Sequence, residues 1–313
     1  MELYHPLQEQ DVQRYCQLVR GWAKYGLSLR LFRRQHRTFI LRGLEGIPSG
    51  YTALDASKPW LCYWMLHSLD VLSVNISEEI QERTIHTISD CQHHEGGFGG
   101  GRGQMAHLAC TFAAISTLAI IGTPAAYSVI DKDALRSFLM KLKRADGSFS
   151  VHDDGENDVR GAYCAVVSAY LTGTLAGDEL FSGTAAFISA CQTYEGGFGA
   201  VPGAEAHAGY TYCAVAALTI LKAFDTIPAV NWAALCEYAS RAQCPLTGGF
   251  RGRTHKLVDG CYSFWCGALF PMLRRICPTP YFDALGLQKF VLVACQEVEH
   301  GGGGGGLRDK PAK

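Results

Sequence analysis

The chain has 313 residues, 48% of them hydrophobic and 18% charged, a balance that suits a globular protein and excludes extensive disorder. Its 28 basic and 29 acidic side chains leave a formal charge of -1, so no global field draws it to nucleic acid or an anionic membrane, and any bound anion has to be met by a local cluster. Thirteen cysteines are an odd number, several (Cys62, Cys164, Cys213, Cys266) lie in apolar runs, "MELYHPLQEQDVQRYC" shows no signal region, and no apolar stretch reaches a membrane span's roughly 18 residues, so the expectation is a cytoplasmic protein with reduced thiols and no membrane span.

Residues 1–45 read as a helical extension of a single domain spanning 1–313, and from there the chain repeats itself. An apolar helix at 54–72 is followed by an amphipathic one at 76–91 and the glycine turn "CQHHEGGFGGG" (91–101). The same order recurs as 107–122, 129–143 and "LKRADGSFSV" (142–151), as 158–173, 178–191 and "CQTYEGGFGAV" (191–201), and as 207–224, 229–243 and "CPLTGGFRGR" (244–253). A fifth copy has helices at 259–276 and 283–296 and the turn "CQEVEHGGGGGGL" (295–307), whose six-glycine run reads as a flexible insertion. The Gly-Gly/Ser-Phe cores begin at 96, 147, 196 and 248, steps of 51, 49 and 52 residues, which gives repeat units near 54–100, 107–150, 158–200, 207–250 and 259–307.

Helices apolar on every side are buried, and their amphipathic partners face water. The expected fold is therefore all-α, an α/α barrel (toroid) with parallel inner helices and an outer ring running back; an open solenoid of the same hairpins is the structural alternative. Five inner helices precede Lys313, one short of a closed ring of six, so the last inner helix is expected to be missing.

Polar residues gather where the inner helices begin: Asp55 and Ser57, His107, Asp158 and Arg160, His207, Asp259. Capping accounts for the aspartates but leaves His107, His207 and Arg160 unexplained. Parallel inner helices direct their N-termini to one mouth, an anion site by its dipoles. Into it project Arg253, Lys256 and Tyr262 from "GRTHKLVDGCYSFW" (252–265), with His207 from the preceding repeat: a donor set for a diphosphate, or else solvated surface charges. Below, Trp60, Trp64, Tyr163, Tyr210, Tyr212 and Trp265 are either ordinary core or the wall of a cavity for an isoprenoid tail. Asp259 and Cys261, two apart at a helix start, both suit one Zn²⁺, although a capping aspartate followed by a buried cysteine has the same spacing, and a third ligand has to come from elsewhere.

The phrases "LDASKPWLCYW", "GGFGGGRGQMAHLA", "DVRGAYCA", "GGFGAVPGAEAHAGYTYCA", "GGFRGRTHKLVDGCYSFW" and "LRDKPAK" resemble, in order and over nearly the whole chain, the β subunits of protein farnesyltransferase. The resemblance implies a heterodimer with an α subunit, and a zinc ion held by Asp259 and Cys261 that binds the cysteine thiol of a protein's C-terminal CaaX sequence. That thiol attacks C1 of farnesyl diphosphate while His207, Arg253, Lys256 and Tyr262 stabilise the departing diphosphate. Trp60, Arg160, Tyr163, Tyr210, Cys213 and Trp265 match isoprenoid-pocket positions; Ser57, His107 and Ala109 match positions near the peptide's last side chain; Asp309 matches an aspartate linked to Mg²⁺. Trp60 stands where geranylgeranyl relatives have a small residue, which favours the fifteen-carbon donor.

Departures are Cys110 and Phe112 for a proline and a tyrosine, and Thr254 and His255 for cysteine and asparagine. The family's third zinc ligand, a histidine in "RDFYHTCYC", follows the DKPxK phrase and so falls beyond Lys313. The alternative expectation is accordingly a truncated, non-catalytic β-subunit form that binds the α subunit without completing the zinc site. A terpenoid cyclase is disfavoured because "DDGEND" (153–158) lies on a loop and no DxDD acid is present, and a glycosidase because no pair of carboxylates faces across the inner helices.

Overall fold

The computed structural model describes residues 6–24, 29–175, 179–224, 230–274, 276, 282–297 and 304–310. Among them there is no strand, only isolated antiparallel bridges. The helices are α1 (Pro6–Lys24), α2 (Arg33–Glu45), α3 (Lys58–Val71), α4 (Glu78–Asp90), α5 (Leu108–Ile121), α6 (Pro124–Ser128), α7 (Lys132–Leu142), α8 (Val159–Thr172), α9 (Thr184–Ala190), α10 (Ala208–Ile220), α11 (Trp232–Arg241), α12 (Tyr262–Trp265), α13 (Leu269–Leu273) and α14 (Ala284–Phe290). They fall into two compact units, Arg37–Ala190 with Ala216–Ile227, and Met1–His36 with Cys191–Val215 and Pro228–Lys313. Among the described residues no helix is long and apolar enough to cross a membrane, and every described cysteine is a free thiol.

In the unit built on Arg37–Ala190, the apolar α5 packs between α3 and α8 and is buried without interruption from Cys110 to Leu118. Its outer counterpart α7 buries only Leu135, Phe138, Leu139 and Leu142, the i, i+3, i+4, i+7 stripe of a surface helix, and is capped by Asp131, whose carboxylate accepts from the amides of Asp133 and Ala134.

The repeated phrase builds one repeated turn. Antiparallel bridges join Gln92 to Phe98, Lys143 to Phe149, Gln192 to Phe198, Gln243 to Phe250 and Gln296 to Leu307, so the fifth copy closes as the others do despite its longer glycine run. Phe98, Phe149, Phe198 and Phe250 are fully buried beneath their turns, each contributing about 1.5–3 kcal/mol of apolar burial. The glycine is obligatory on two counts: at Gly196 φ is 96°, and a Cβ would lie 2.2 Å from the carbonyl oxygen of Ala234 in the next outer helix. Gly96, Gly147 and Gly248 repeat that geometry.

Four of the loops then hand a carbonyl to an amide at or just before the start of an inner helix. Lys58 N donates to Gly100 O (2.9 Å) and Leu108 N to Val151 O (2.7 Å) in one unit, Ala208 N to Gly252 O (2.8 Å) and Gly260 N to Asp309 O (2.6 Å) in the other. These bonds set neighbouring inner-helix starts side by side.

Three expectations are corrected. The fifth inner helix is not continuous over 259–276: it breaks between α12 and α13 at 266–268, because Pro271 has no amide to offer the Gly267 carbonyl and crowds it, and Gly267 is itself a poor helix former. The glycine run is not loose throughout, since Gly304 and Gly305 are buried and Gly306 N donates to His36 Nδ1 at 3.0 Å; 301–303 lie outside the described residues. Asp55 caps nothing: it sits in a 3-10 segment (Ser49–Ser57) and pairs with Lys58 at 3.1 Å.

Candidate functional site

A cleft of about 1000 Å³ opens in the unit that contains Cys191–Val215 and Pro228–Lys313, lined among others by Glu205, His207, Tyr210, Arg253, Lys256, Asp259, Tyr262 and Lys310. It gathers the four donors expected from the sequence at a diphosphate.

His207 begins α10. Its Nδ1 accepts from Gly209 N (3.0 Å), so the ring proton is on Nε2, which donates to the Tyr262 hydroxyl at 3.1 Å. With its oxygen accepting from His207, Tyr262 keeps its own proton for another acceptor. Burial first, then the charges of Cys261 and Asp259, push the phenol's pKa up, so it remains a donor at neutral pH. Gly252 permits this contact: a Cβ there would lie 2.0 Å from Tyr262 Cζ.

Arg253 pairs with Glu205 (2.7 Å), and the Thr254 hydroxyl donates to Glu195 Oε1 (2.6 Å), which fastens the cation-bearing loop to the preceding repeat. Lys256 is exposed and has no ion pair among the described residues.

Several amides at the two helix starts of this cleft are already engaged. Ala208 N is engaged by Gly252 O and Gly209 N by His207; in the fifth repeat Gly260 N, Cys261 N and Tyr262 N are held by Asp309 O, Asp259 Oδ1 and Asp259 O. With those amide protons engaged, side chains supply the donors. The histidines are caps after all: His107 Nδ1 accepts from Ala109 N (3.0 Å) as His207 does from Gly209.

Asp259 and Cys261 share one turn, with Cys261 N donating to Asp259 Oδ1 at 3.0 Å and the Cys261 side chain exposed. Desolvation opposes ionisation of Asp259, but hydrogen bonds from Cys261 and Lys310 win and hold its carboxyl below the usual range. Partial desolvation, then the neighbouring Asp259 carboxylate, push the Cys261 thiol up to about 12. A carboxylate and a thiol at one helix start are zinc donors in kind, yet among the described residues no group of three His, Cys, Asp or Glu side chains gathers there or elsewhere. Asp259 Oδ2 is instead paired with Lys310 at 2.8 Å. Asp309, expected beside magnesium, is exposed.

The unit built on Arg37–Ala190 carries the other expected residues. At the starts of α5 and α8, His107 lies 5.5 Å, ring to ring, from His152, and Arg160 forks onto its own cap Asp158 (2.6 Å) with Glu156 at 3.8 Å. Desolvation, then His152, lower the His107 pKa, and Glu156 opposes them. Phe112 is the centre of an aromatic cluster: Trp60 and Tyr63 lie 5.6 Å away and Tyr163 5.4 Å, while Trp64 is tilted against Trp60 at 5.5 Å and is half exposed. Ser57 precedes α3 without making a side-chain cap, and Ala109 is in the first turn of α5. In the other unit Tyr210 touches His207, Cys213 is buried, and Trp265 packs with Phe264 on Tyr212.

Sequence reasoning missed Lys310, Glu205 and Glu156. Lys310 adjoins the Asp309 that was singled out, and Glu205 lies two residues before His207.

The chain matches the prenyltransferase alpha-alpha toroid domain over residues 31–313. It is 39% identical over 310 residues to the protein farnesyltransferase subunit beta of Pyricularia oryzae, covering 90% of this chain and 59% of that one. Against the subunit of the same name from Schizosaccharomyces pombe it is 39% identical over 288 residues, 90% and 73% of the two chains, and against the geranylgeranyl transferase type-1 subunit beta of Arabidopsis thaliana 37% identical over 205 residues, 63% and 52%. The chain thus spans only part of the length of these relatives, 59% of the first. The solved structure of Candida albicans protein geranylgeranyltransferase-I complexed with GGPP aligns with a TM-score of 0.74 at 23% identity, over 91% of this chain and 87% of that one, a likeness of fold. The fold class is the α/α toroid, as the repeat implied, rather than an open solenoid.

Proposed function

The chain belongs to the family of protein prenyltransferase β subunits, and on that premise we propose that it is the β subunit of a cytoplasmic protein farnesyltransferase, which with an α subunit transfers farnesyl from farnesyl diphosphate to the thiol of a CaaX cysteine. The observation that carries this reading is the convergence of His207, Arg253, Lys256 and Tyr262 on one cleft.

In this reading the Tyr262 phenol, its oxygen anchored by His207, donates to the diphosphate together with Arg253 and Lys256, and these bonds strengthen as charge accumulates on the leaving group. The positions of the donors fix the diphosphate, and the aromatic residues Trp60, Tyr163, Tyr210 and Trp265 serve the isoprenoid; Trp60, backed by Phe112 and Tyr63, favours the shorter donor. His107, Ser57 and Ala109 serve the peptide end, and Arg160 the isoprenoid pocket. Asp259 and Cys261 would hold Zn²⁺ with a third ligand from outside the described residues; bound zinc supplies a deprotonated peptide thiol. Asp309 would serve Mg²⁺.

A second reading, a chain that pairs with an α subunit without completing a metal site, is favoured by the ion pair that keeps Lys310 on Asp259. Co-expression with an α subunit, followed by measurement of zinc content and of farnesyl transfer to a CaaX peptide, decides between them. Near-stoichiometric zinc and transfer that falls at least about tenfold in Lys256→Met support the first. A stable heterodimer without zinc or transfer supports the second, and failure to pair with any α subunit overturns both.

A further inference from the structure

The cleft is almost neutral in its own right. Arg253 is paired with Glu205 and Lys310 with Asp259, which leaves Lys256 as the cation without an internal acid among the described residues. Lys310 differs from Arg253 in how it is held. Its side chain is 26% exposed and that of Asp259 15%, whereas Arg253 and Glu205 are 38% and 52% exposed. The backbone beside it is fixed as well, since Asp309 O accepts from Gly260 N and Arg308 N donates to Cys295 O at 2.8 Å. An ammonium has three donors; one is on Asp259 Oδ2, and the residue lines the same cleft as His207, Arg253, Lys256 and Tyr262.

We propose that Lys310 is a further anion-binding residue of this cleft and that Asp259 withholds its charge: whatever engages the Asp259 carboxylate in place of Lys310 hands the Lys310 ammonium to a diphosphate. The inference rests on the diphosphate reading of the cleft and adds a coupling to it. Anything that binds the Asp259 carboxylate strengthens diphosphate binding through Lys310, and by reciprocity the anion strengthens whatever binds Asp259. Asp259→Asn imitates that engagement without a metal, because the amide oxygen still accepts from Cys261 N while the charge that holds Lys310 is gone.

The test is a mutant cycle on the full chain, with inorganic pyrophosphate as the probe, a chelator present, and affinity read by calorimetry. Asp259→Asn is expected to bind pyrophosphate about tenfold more tightly than the wild type, the scale of one charge-assisted hydrogen bond. In a Lys310→Met background the same substitution is expected to gain less than about threefold, the residue of long-range charge. Equal gains in the two backgrounds, or no gain in either, overturn the proposal. Absence of pyrophosphate binding in the wild type, or binding unchanged in Lys256→Met, overturns the reading of the cleft itself and the proposal with it. Unchanged thermal melting of each variant secures the comparison.

Discussion

Gly252→Ala isolates the geometry of the cleft with one methyl group. The added Cβ would lie 2.0 Å from Tyr262 Cζ and 2.2 Å from its hydroxyl oxygen, where ordinary contact needs about 3.4 Å or more, so one partner has to retreat by more than an ångström. The Gly252 carbonyl is held by Ala208 N at 2.8 Å, so the ring is the part that moves. Such a shift takes the hydroxyl out of reach of His207 Nε2, now 3.1 Å away, and out of its aim into the cleft. Overpacking costs about 1–3 kcal/mol, a fall in melting temperature of a few degrees for a chain of this size. Loss of a charge-assisted donor lowers pyrophosphate affinity by about tenfold. Calorimetric titration of wild type, Gly252→Ala, Tyr262→Phe and the double variant reads both effects. If the methyl acts through the hydroxyl, the double variant binds no worse than Tyr262→Phe. A Gly252→Ala protein that binds pyrophosphate like the wild type, or a double variant in which the two losses multiply, refutes the reasoning.

Two predictions concern stability. Gly196→Ala combines a φ of 96° with a 2.2 Å clash against backbone, and is expected to cost about 2–5 kcal/mol, whereas Gly203→Ala, with φ 83° and open space around it, costs only the conformational share of about 1–2 kcal/mol; equal losses in denaturant titrations would show that close approach is not what the repeat glycine serves. His107 has its pKa lowered from 6.5, so the unfolded chain binds the extra proton first, and stability is lost as pH falls through the window below 6.5. His107→Asn, which can still cap α5, is expected to flatten that part of the curve of melting temperature against pH; an unchanged slope counts against a half-buried, neutral His107.

The repeat was legible because its residues answer to local necessity. Only glycine fits at 196, the buried phenylalanine two positions on has no polar substitute, and the outer helices announce themselves by a stripe such as 135, 138, 139, 142. The break in the fifth inner helix was written there too, in Gly267 and Pro271, but the apolar run around them outweighed it. The cleft donors were found because three of the four lie within ten residues and a repeat period places the fourth. Lys310 and Glu205 were not, because their partners are 51 and 48 positions away and ion pairs leave no periodic trace.

The departures at 254 and 255 acquire a physical meaning from the same loop. Thr254 gives its hydroxyl to Glu195, Arg253 gives a donor to Glu205, and the Gly252 carbonyl takes Ala208 N, so three successive residues are fastened to the preceding repeat. His255, at a φ of 59°, is held in a conformation a non-glycine residue adopts at some cost, and Lys256 follows it into solvent. A lysine on a loop fixed in this way surrenders only its side-chain freedom when an anion arrives, whereas on a mobile loop the backbone would have to be ordered as well, at about 1–2 kcal/mol per residue. On the diphosphate reading, anion affinity in this cleft is therefore expected to depend on acids that never touch the anion. Glu195 and Glu205 reduce the local positive charge, and in exchange they hold the backbone from which the cations act.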